Sequence, residues 1–564
     1  TVGNNPTMSG IEFLTLTSTE NDQDAVINLA KVTGLSAVTA NFVTTNNPDQ
    51  IEIDGLAAGV PVVALATGTL DILDIGLASA SGAADALTVS VKTNTTSLDL
   101  DAAGIETLNL VAGGAAGTVN LAGVSPSAGS ATTLNLTGAD ATKDFVLKSI
   151  HTGINNINAA GLAGSLTLAA GDRDGDILTI TAGGNNDQLS MENPGDVLNA
   201  GANEALSATA SSAVANADTL TIAFTGIVGG ISVDLSAADQ VVTMDGSSNT
   251  AVQAGFENID LAAYVGFAGV VTGSDASNRI VGTALADRIN AGKGNDTIVI
   301  NTGTVGNDDQ MNGGTGADTL EVASGLTATI NLDTDLVSVE TIKLVAAGTL
   351  VMTGQTEALA YVTAAGAAVI TAGSGASTFT LLGDNDIIKL NTYTSTATTV
   401  LGHTISGFNP LTGKDTVHLS EAGIEAILGG SNDLIKAGKS DVDVTAIASV
   451  ITATGAGAYD LAGQAATTIV QIATNAADDA AAKALIVTGG THALKANVAM
   501  AAGDIILVLY DDGTSSYLAA VETGAIIAND GLFVAADTTV TTLITFTGVA
   551  NSAGFHLDSF DFIA

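Results

Sequence analysis

The sequence predicts an all-β chain: an elongated parallel β-helix or β-roll solenoid, closed by an α+β cap at its C-terminal end. Three observations carry this reading. The 564 residues are 46% hydrophobic but only 3% aromatic, with 65 Gly and no Trp, so the apolar content is small and branched and suits a core of thin layers. Short alternating apolar segments return at near-constant spacing between residues 87 and 180, and a stricter nine-residue period runs through residues 273–322. At ~150 residues per domain the length allows three or four units, or one repetitive array that needs no large central core.

The first element is the irregular solenoid of residues 1–270. The second apolar residues of successive triplets are Leu100, Leu110, Leu121, Leu136, Leu147, Ile157, Leu168 and Ile180, with Gly, Ala, Asn and Asp between them. Period-two alternation marks a strand with one buried face, and the intervening residues are those of tight turns. Such a coil cannot bury its apolar side alone, but stacking in register does. The competing architecture is an antiparallel sandwich, against which stands the scarcity of Asn-Gly hairpin turns.

A second recurrence places Glu after a small residue and an apolar one, at Glu12, Glu106, Glu257 and Glu340. Its apolar residues point inward. The Glu, alone in each copy, faces solvent or caps a backbone group in preference to holding a metal.

Residues 271–322 read as a β-roll. Asn278, Asp287 and Asp296 are nine apart, as are Ile280, Ile289 and Ile298. After a four-residue insertion the period resumes from Asp309 to Asp318. Residues 313–321, Gly-Gly-Thr-Gly-Ala-Asp-Thr-Leu-Glu, fit the nonapeptide GGxGxDxUx throughout, and residues 291–299 fit it with one Ala for Gly. The glycines permit left-handed turns in which carbonyl oxygens converge, the Asp adds a carboxylate, and the apolar residue starts a strand. Ligands then come from repeats 18 residues apart, as Asn278 and Asp296 are. Six to eight hard oxygens are what Ca²⁺ takes. The candidate metal positions are Asn278, Asp287, Asp296, Asp309 and Asp318, with the turn glycines Gly282, Gly292, Gly294, Gly314 and Gly316. Weaker copies add Asp187, Asp196 and Asp386. The alternative is a Gly/Asp turn array stable without metal, in which stacked carboxylates would have to tolerate one another. Asp172, Asp174 and Asp176 form a carboxylate-rich turn that lacks the Glu of an EF-hand loop.

Residues 323–401 continue the solenoid, and residues 402–564 form the cap. There, helix-like runs occupy residues 420–430 and 475–485, and strands at 504–510 and 516–521 flank the hairpin signal Asp511-Asp512-Gly513.

The nonapeptide run resembles the RTX family of calcium-binding repeats. Residues 405–420 look like the I-x-D-F-x(4)-G-x-D-x-I-x-L-S segment that closes RTX rolls, with Gly407 where Asp is usual, and residues 543–549 and 560–564 resemble the C-terminal type I secretion signal of that class. With its Ile-Glu-Thr-Leu coils and Cys-free composition, the chain is similar to RTX-type surface-layer (S-layer) proteins of Gram-negative bacteria, of the Caulobacter type. The resemblance implies a structural protein, not an enzyme, that is exported by type I secretion and folded by Ca²⁺ outside the cell. It further implies self-assembly into a two-dimensional cell-surface lattice of hexameric units, held to lipopolysaccharide through an N-terminal region that is not in this chain. An RTX adhesin or toxin repeat domain is the nearer alternative, and a β-helix polysaccharide lyase or epimerase the more distant one.

Composition sets the remaining limits. A formal charge of −43 repels nucleic acid and anionic membranes and leaves cations as partners, including calcium bridges between neighbouring acidic subunits. Zero Cys excludes disulfides, zinc-thiolate sites and a cysteine nucleophile. No stretch approaches the ~18 apolar residues of a membrane-spanning helix. The five His are dispersed, and no HExxH, GxSxG or Walker A sequence is present. Because it begins at Thr1 without Met, the sequence reads as a processed or excised fragment.

Overall fold

A computed structural model describes residues 6–18, 25–43, 50–65, 71–80, 82, 84–92, 98–113, 117–169, 171, 177–201, 217–223, 227–300, 309–323, 327–330, 334–390, 394–396, 399–411, 414–428, 449–453, 459–461, 468–496, 499–528 and 531–563. The protein is mostly β with long parallel sheets. It divides into two compact units, Thr1–Thr297 and Ile298–Ala564.

In the first unit successive strands fall alternately into two sheets. Phe13–Ser18, Ala37–Phe42, Val62–Leu65, Ala86–Val91, Thr107–Ala112, Thr132–Gly138, Ile154–Leu162, Thr179–Thr181, Val197–Asn199 and Gln253–Ala254 form one ten-stranded sheet in that order. The strands between them, from Ala25–Asn28 through Leu98–Ala103, Gly117–Ser125 and Phe145–Lys148 to Asn258–Asp260, pair in parallel as the other sheet. Each step between the triplets is therefore half a coil. The sandwich alternative fails here: among the described residues, antiparallel pairing in this unit is confined to Ile231–Asp234, Val241–Met244 and Ser247–Ser248.

Register stacks like on like. Leu108, Leu134, Ile157, Ile180 and Leu198 lie opposite one another on one inner face, and Val119, Leu147, Leu168, Leu189, Leu220 and Ile259 on the other. All are buried. At about 1.5–3 kcal/mol per fully buried aliphatic side chain, these ladders are the main stabilising term. A slip of one residue would turn every one of them outward.

The second unit repeats the arrangement. Thr327–Thr329, Gly348–Val351, Ala368–Ala372, Ile387–Leu390, Thr416–Ser420 and Phe560–Ile563 form a six-stranded parallel sheet. Facing positions on the other sheet make the ladder Leu320, Ile342, Tyr361, Phe379, Ile405 and Phe546. Parallel stacking thus continues past residue 402, where the sequence placed a boundary, because His403–Ser406 is a strand too short and polar for periodicity to reveal. The last coil comes from the C-terminus: Thr538–Thr547 pairs with His403–Ser406 and Phe560–Ile563 with Thr416–Ser420. Phe408, Phe546, Phe555 and Phe560 pack together there, with ring centroids 4.8–6.0 Å apart.

Residues 421–537 lie between those two coils in sequence. They contain α1 (Glu421–Leu428) and α2 (Asp479–Ile486), where helix-like runs were expected. Asp478 caps α2 by accepting a hydrogen bond from Ala481 N. The expected hairpin joins Ile505–Asp511 to Ser515–Thr523, which pairs antiparallel with Thr538–Thr547. Among the described residues no helix is long and apolar enough to cross a membrane.

Candidate metal centre

Where a coil turns into a strand, the first backbone N–H groups lose their ladder partners, and an acidic side chain from the next coil supplies the acceptor. Asp187 stands just before Gln188–Met191, and its Oδ1 accepts Leu166 N at 2.6 Å. Asp218 Oδ1 accepts Asp187 N at 2.7 Å, Glu257 Oε2 accepts Asp218 N at 2.9 Å, and Asp296 Oδ1 accepts Asn278 N at 2.7 Å. Asn278 also donates from Nδ2 to Glu257 O at 2.6 Å. These residues form one column of corner caps in the first unit.

The other corner is built alike. Asp196 takes Leu178 N on Oδ1 (2.9 Å) and Glu192 N and Asn193 N on Oδ2 (3.1 and 3.0 Å). Asp287 takes Gly269 N and the Thr283 hydroxyl on Oδ1 and Thr283 N on Oδ2, each at 2.7 Å. In the second unit, Asp386 takes Ala368 N on Oδ1 (2.7 Å) and the Thr363 hydroxyl on Oδ2 (3.1 Å), while Asp415 Oδ1 accepts Asp386 N (2.9 Å). Asp318 donates its N–H to Glu340 Oε2 at 2.7 Å. Asp309 is half-buried just before Gln310–Asn312.

The 18-residue interval read from Asn278 and Asp296 is therefore the length of one coil, and it recurs at Leu178 with Asp196, Gly269 with Asp287 and Ala368 with Asp386. Each of these carboxylates meets an N–H group of the neighbouring coil. That answers the repulsion expected of stacked carboxylates. In Asp196, Asp287 and Asp386 both oxygens already have protein donors, so these three are complete as caps without an ion. Glu106, Glu257 and Glu340 cap too: Glu106 accepts Asp85 N and Ser127 N at 3.0 and 2.9 Å.

Burial sets the electrostatics. It pushes the Asp187 carboxyl up to about 7, against the pull of neighbouring N–H groups. Asp287, Asp386 and Asp415 are also raised, burial being the largest cause, and Asp384 adds to the rise at the last two.

The turn glycines have a different part. Gly292 and Gly294 lie at φ 104° and 111°, in the left-handed region, and a Cβ on either would strike the backbone at Ser274 or Ala276 one coil away. Gly314 and Gly316, at φ 96° and 151°, hold the matching turn of the second unit. At Gly282 a side chain would strike the Asp287 carboxylate. The Gly292/Gly294 turn thus brings backbone carbonyls of adjacent coils within reach of a chain carrying Asp296. That fits an ion bound through carbonyls, the donors Ca²⁺ accepts. Among the described residues no group of three or more His, Asp or Glu side chains gathers as a metal-ligand set. The turn of Asp172, Asp174 and Asp176 lies outside the described residues.

The nine-residue period marks Ser377, nine before Asp386, but misses several caps: Asp144, Asp218, Asp415 and His403. Asp144 accepts Ser165 N, the Ser377 hydroxyl accepts Leu359 N, and His403 Nδ1 accepts Ser377 N. Their signal was position, immediately before or at the start of a short strand. Two other histidines serve local contacts. His151 Nδ1 accepts Gly153 N, and His492 Nε2 lies 2.6 Å from the Thr474 hydroxyl. Compared with protein-family models and with curated proteins, the chain matches none.

Proposed function

We propose that this chain is a structural S-layer protein: exported by type I secretion, folded by Ca²⁺ outside the cell, and assembled there into a two-dimensional surface lattice. The observation that carries the reading is the 18-residue coil of residues 279–296, in which left-handed Gly292 and Gly294 press against the neighbouring turn while Asp296 reaches back to Asn278 N. This supports the nonapeptide reading. The ion would be held by carbonyls of the turns around Gly292 and Gly294, and separately Gly314 and Gly316, with Asp296 and Asp318 as the carboxylates nearest in sequence. Bound there, calcium supplies positive charge and joins adjacent turns. Asn278, Asp187 and Asp309 stand as secondary positions, and lipopolysaccharide is the proposed anchor.

Free Ca²⁺ inside a cell lies far below the ~10⁻⁴ to 10⁻³ M affinities of extracellular sites, so the turns stay loose until export. Each site stabilises by about 1.4 kcal/mol when the ion stands at ten times its dissociation constant, so several acting together decide folding. Circular dichroism during a calcium titration, paired with electron microscopy, tests this. Ordered β signal and planar arrays should appear with calcium and vanish with chelator. A chelated protein that stays folded and still tiles a surface overturns the proposal. Dispersed rods in calcium favour the adhesin reading.

A further inference from the structure

The two sheets of the first unit present opposite chemistry to their surroundings. On the sheet containing Gln50–Leu56, Asp71–Leu77 and Leu98–Ala103, Glu52, Asp74 and Asp101 lie directly opposite one another on consecutive strands, with Asp54 and Asp99 beside them. Burial and then the charges of Asp101 and Asp54 raise the Asp74 carboxyl, which records the crowding of like charge.

The other sheet is neutral where it faces outward. Its register aligns two columns: Ala86, Thr107, Thr133, Asn156, Thr179 and Val197, and beside it Thr88, Asn109, Asn135, Asn158, Thr181 and Asn199. Ten of these twelve positions are Thr or Asn, and none is charged or aromatic. On three of the six strands the side chains are linked along the stack. Asn135 Nδ2 donates to Asn109 Oδ1 at 2.9 Å, and Asn109 Nδ2 to Thr88 Oγ1 at 3.3 Å. Asn156, Asn158, Thr179 and Asn199 are exposed.

We infer that this Thr/Asn array is a contact face for a second copy of the same chain, packed sheet against sheet about a two-fold axis. Two copies of a −43 molecule repel wherever acidic surfaces meet, and here they meet without opposing charges. Aligned amide ladders on flat parallel sheets interlock with their own kind, and a two-fold contact sets the same patch against itself. Lacking rings, the face has nothing to stack on sugars. It carries no carboxylate to attract an ion. Its extent, about six strands at ~4.8 Å by roughly 10 Å of strand, is about 300 Å². A stable two-protein interface needs about 800 Å² per partner, so one such contact is weak and holds only as one of several in an array.

The inference rests on the self-assembly proposed above, and the test separates the two. The sequence has no Cys, so Asn158→Cys, Asn135→Cys and, on the acidic sheet, Asn120→Cys each provide a single labelling site. Protein associated in calcium is treated with a short bis-maleimide, and a second portion, folded in calcium while too dilute to associate, is coupled to a polyethylene glycol maleimide and then concentrated. Cys at 158 or 135 should give about tenfold more covalent dimer than Cys at 120, and the polymer at 158 should block association while the polymer at 120 does not. If the wild-type chain never associates, the lattice reading falls and this inference with it. If it associates but sites 158 and 135 cross-link no better than site 120, or the polymer at 158 has no effect, the face is wrong and the lattice reading stands.

Discussion

Replacing Asp287 by alanine separates a carboxylate that closes a corner from one that serves an ion. Its oxygens accept Gly269 N, Thr283 N and the Thr283 hydroxyl, all at 2.7 Å, and it is buried. Alanine removes the acceptor from two N–H groups, each costing about 1–3 kcal/mol when left buried and unsatisfied. The two share one acceptor, so the costs do not simply add. The carboxyl is itself raised by burial, so deleting it returns part of the expense. A net loss of about 2–4 kcal/mol follows, confined to the coils on either side. Because this chain is large and does not qualify as a two-state unfolder, the measurement is hydrogen exchange read by mass spectrometry on peptides spanning residues 265–290. Exchange at Gly269 and Thr283 should accelerate by about 30- to 800-fold, to the same degree at every calcium concentration at which the chain is folded. An acceleration that grows as calcium is raised would make Asp287 a ligand, and no acceleration at all would sink the capping argument.

Asp187 should make local stability depend on pH. Its folded pKa of about 7 lies above the ~3.9 of an unfolded Asp, so the associated stability is complete below about pH 4 and is lost as pH rises through 7. The upper bound is about 4 kcal/mol. At a fixed calcium concentration that keeps the chain folded, Asp187→Asn keeps an oxygen for Leu166 N and should flatten the exchange profile of residues 160–190 between pH 4.5 and 8; a profile equally steep in the variant refutes this. Phe560→Ala should release the terminal strand, since Phe560 stacks on Phe555 at 5.4 Å and meets Phe546 edge-on at 6.0 Å. The cost is about 3–5 kcal/mol, read as faster limited proteolysis within residues 550–563, and unchanged cleavage counts against the aromatic cluster.

Much of this architecture was legible because local chemistry repeats. The Leu-x-Leu triplets gave strands, though only the pairing shows that each step between them is half a coil, and the nine-residue period gave the 18-residue coil that Asp296 and Asn278 span. What the residues could not show was the partner of each carboxylate. An Asp before a strand reads the same whether it faces an ion or the Leu178 or Gly269 amide, because the choice depends on a coil one turn away. Cys-free, Gly-rich spacing likewise gave no hint that Phe560 would return to Val417, since the pairing joins segments with no local pattern in common. The Thr and Asn columns were hidden for the opposite reason. Each strand's outward residues look like ordinary solvent-facing polar positions, and only register turns them into rows.

A cap that always reaches back one coil makes length a counted quantity. Removing residues 279–296 would take away one complete turn of winding, with the amide it buries and the acid that serves it, whereas removing five residues from the same stretch would leave an acid facing the wrong neighbour and every later rung turned over. Insertions and deletions in chains built this way should therefore arrive as whole windings or be confined to the loops outside them. Such a molecule can be lengthened or shortened in the way a stack of coins can, by units and never by fractions.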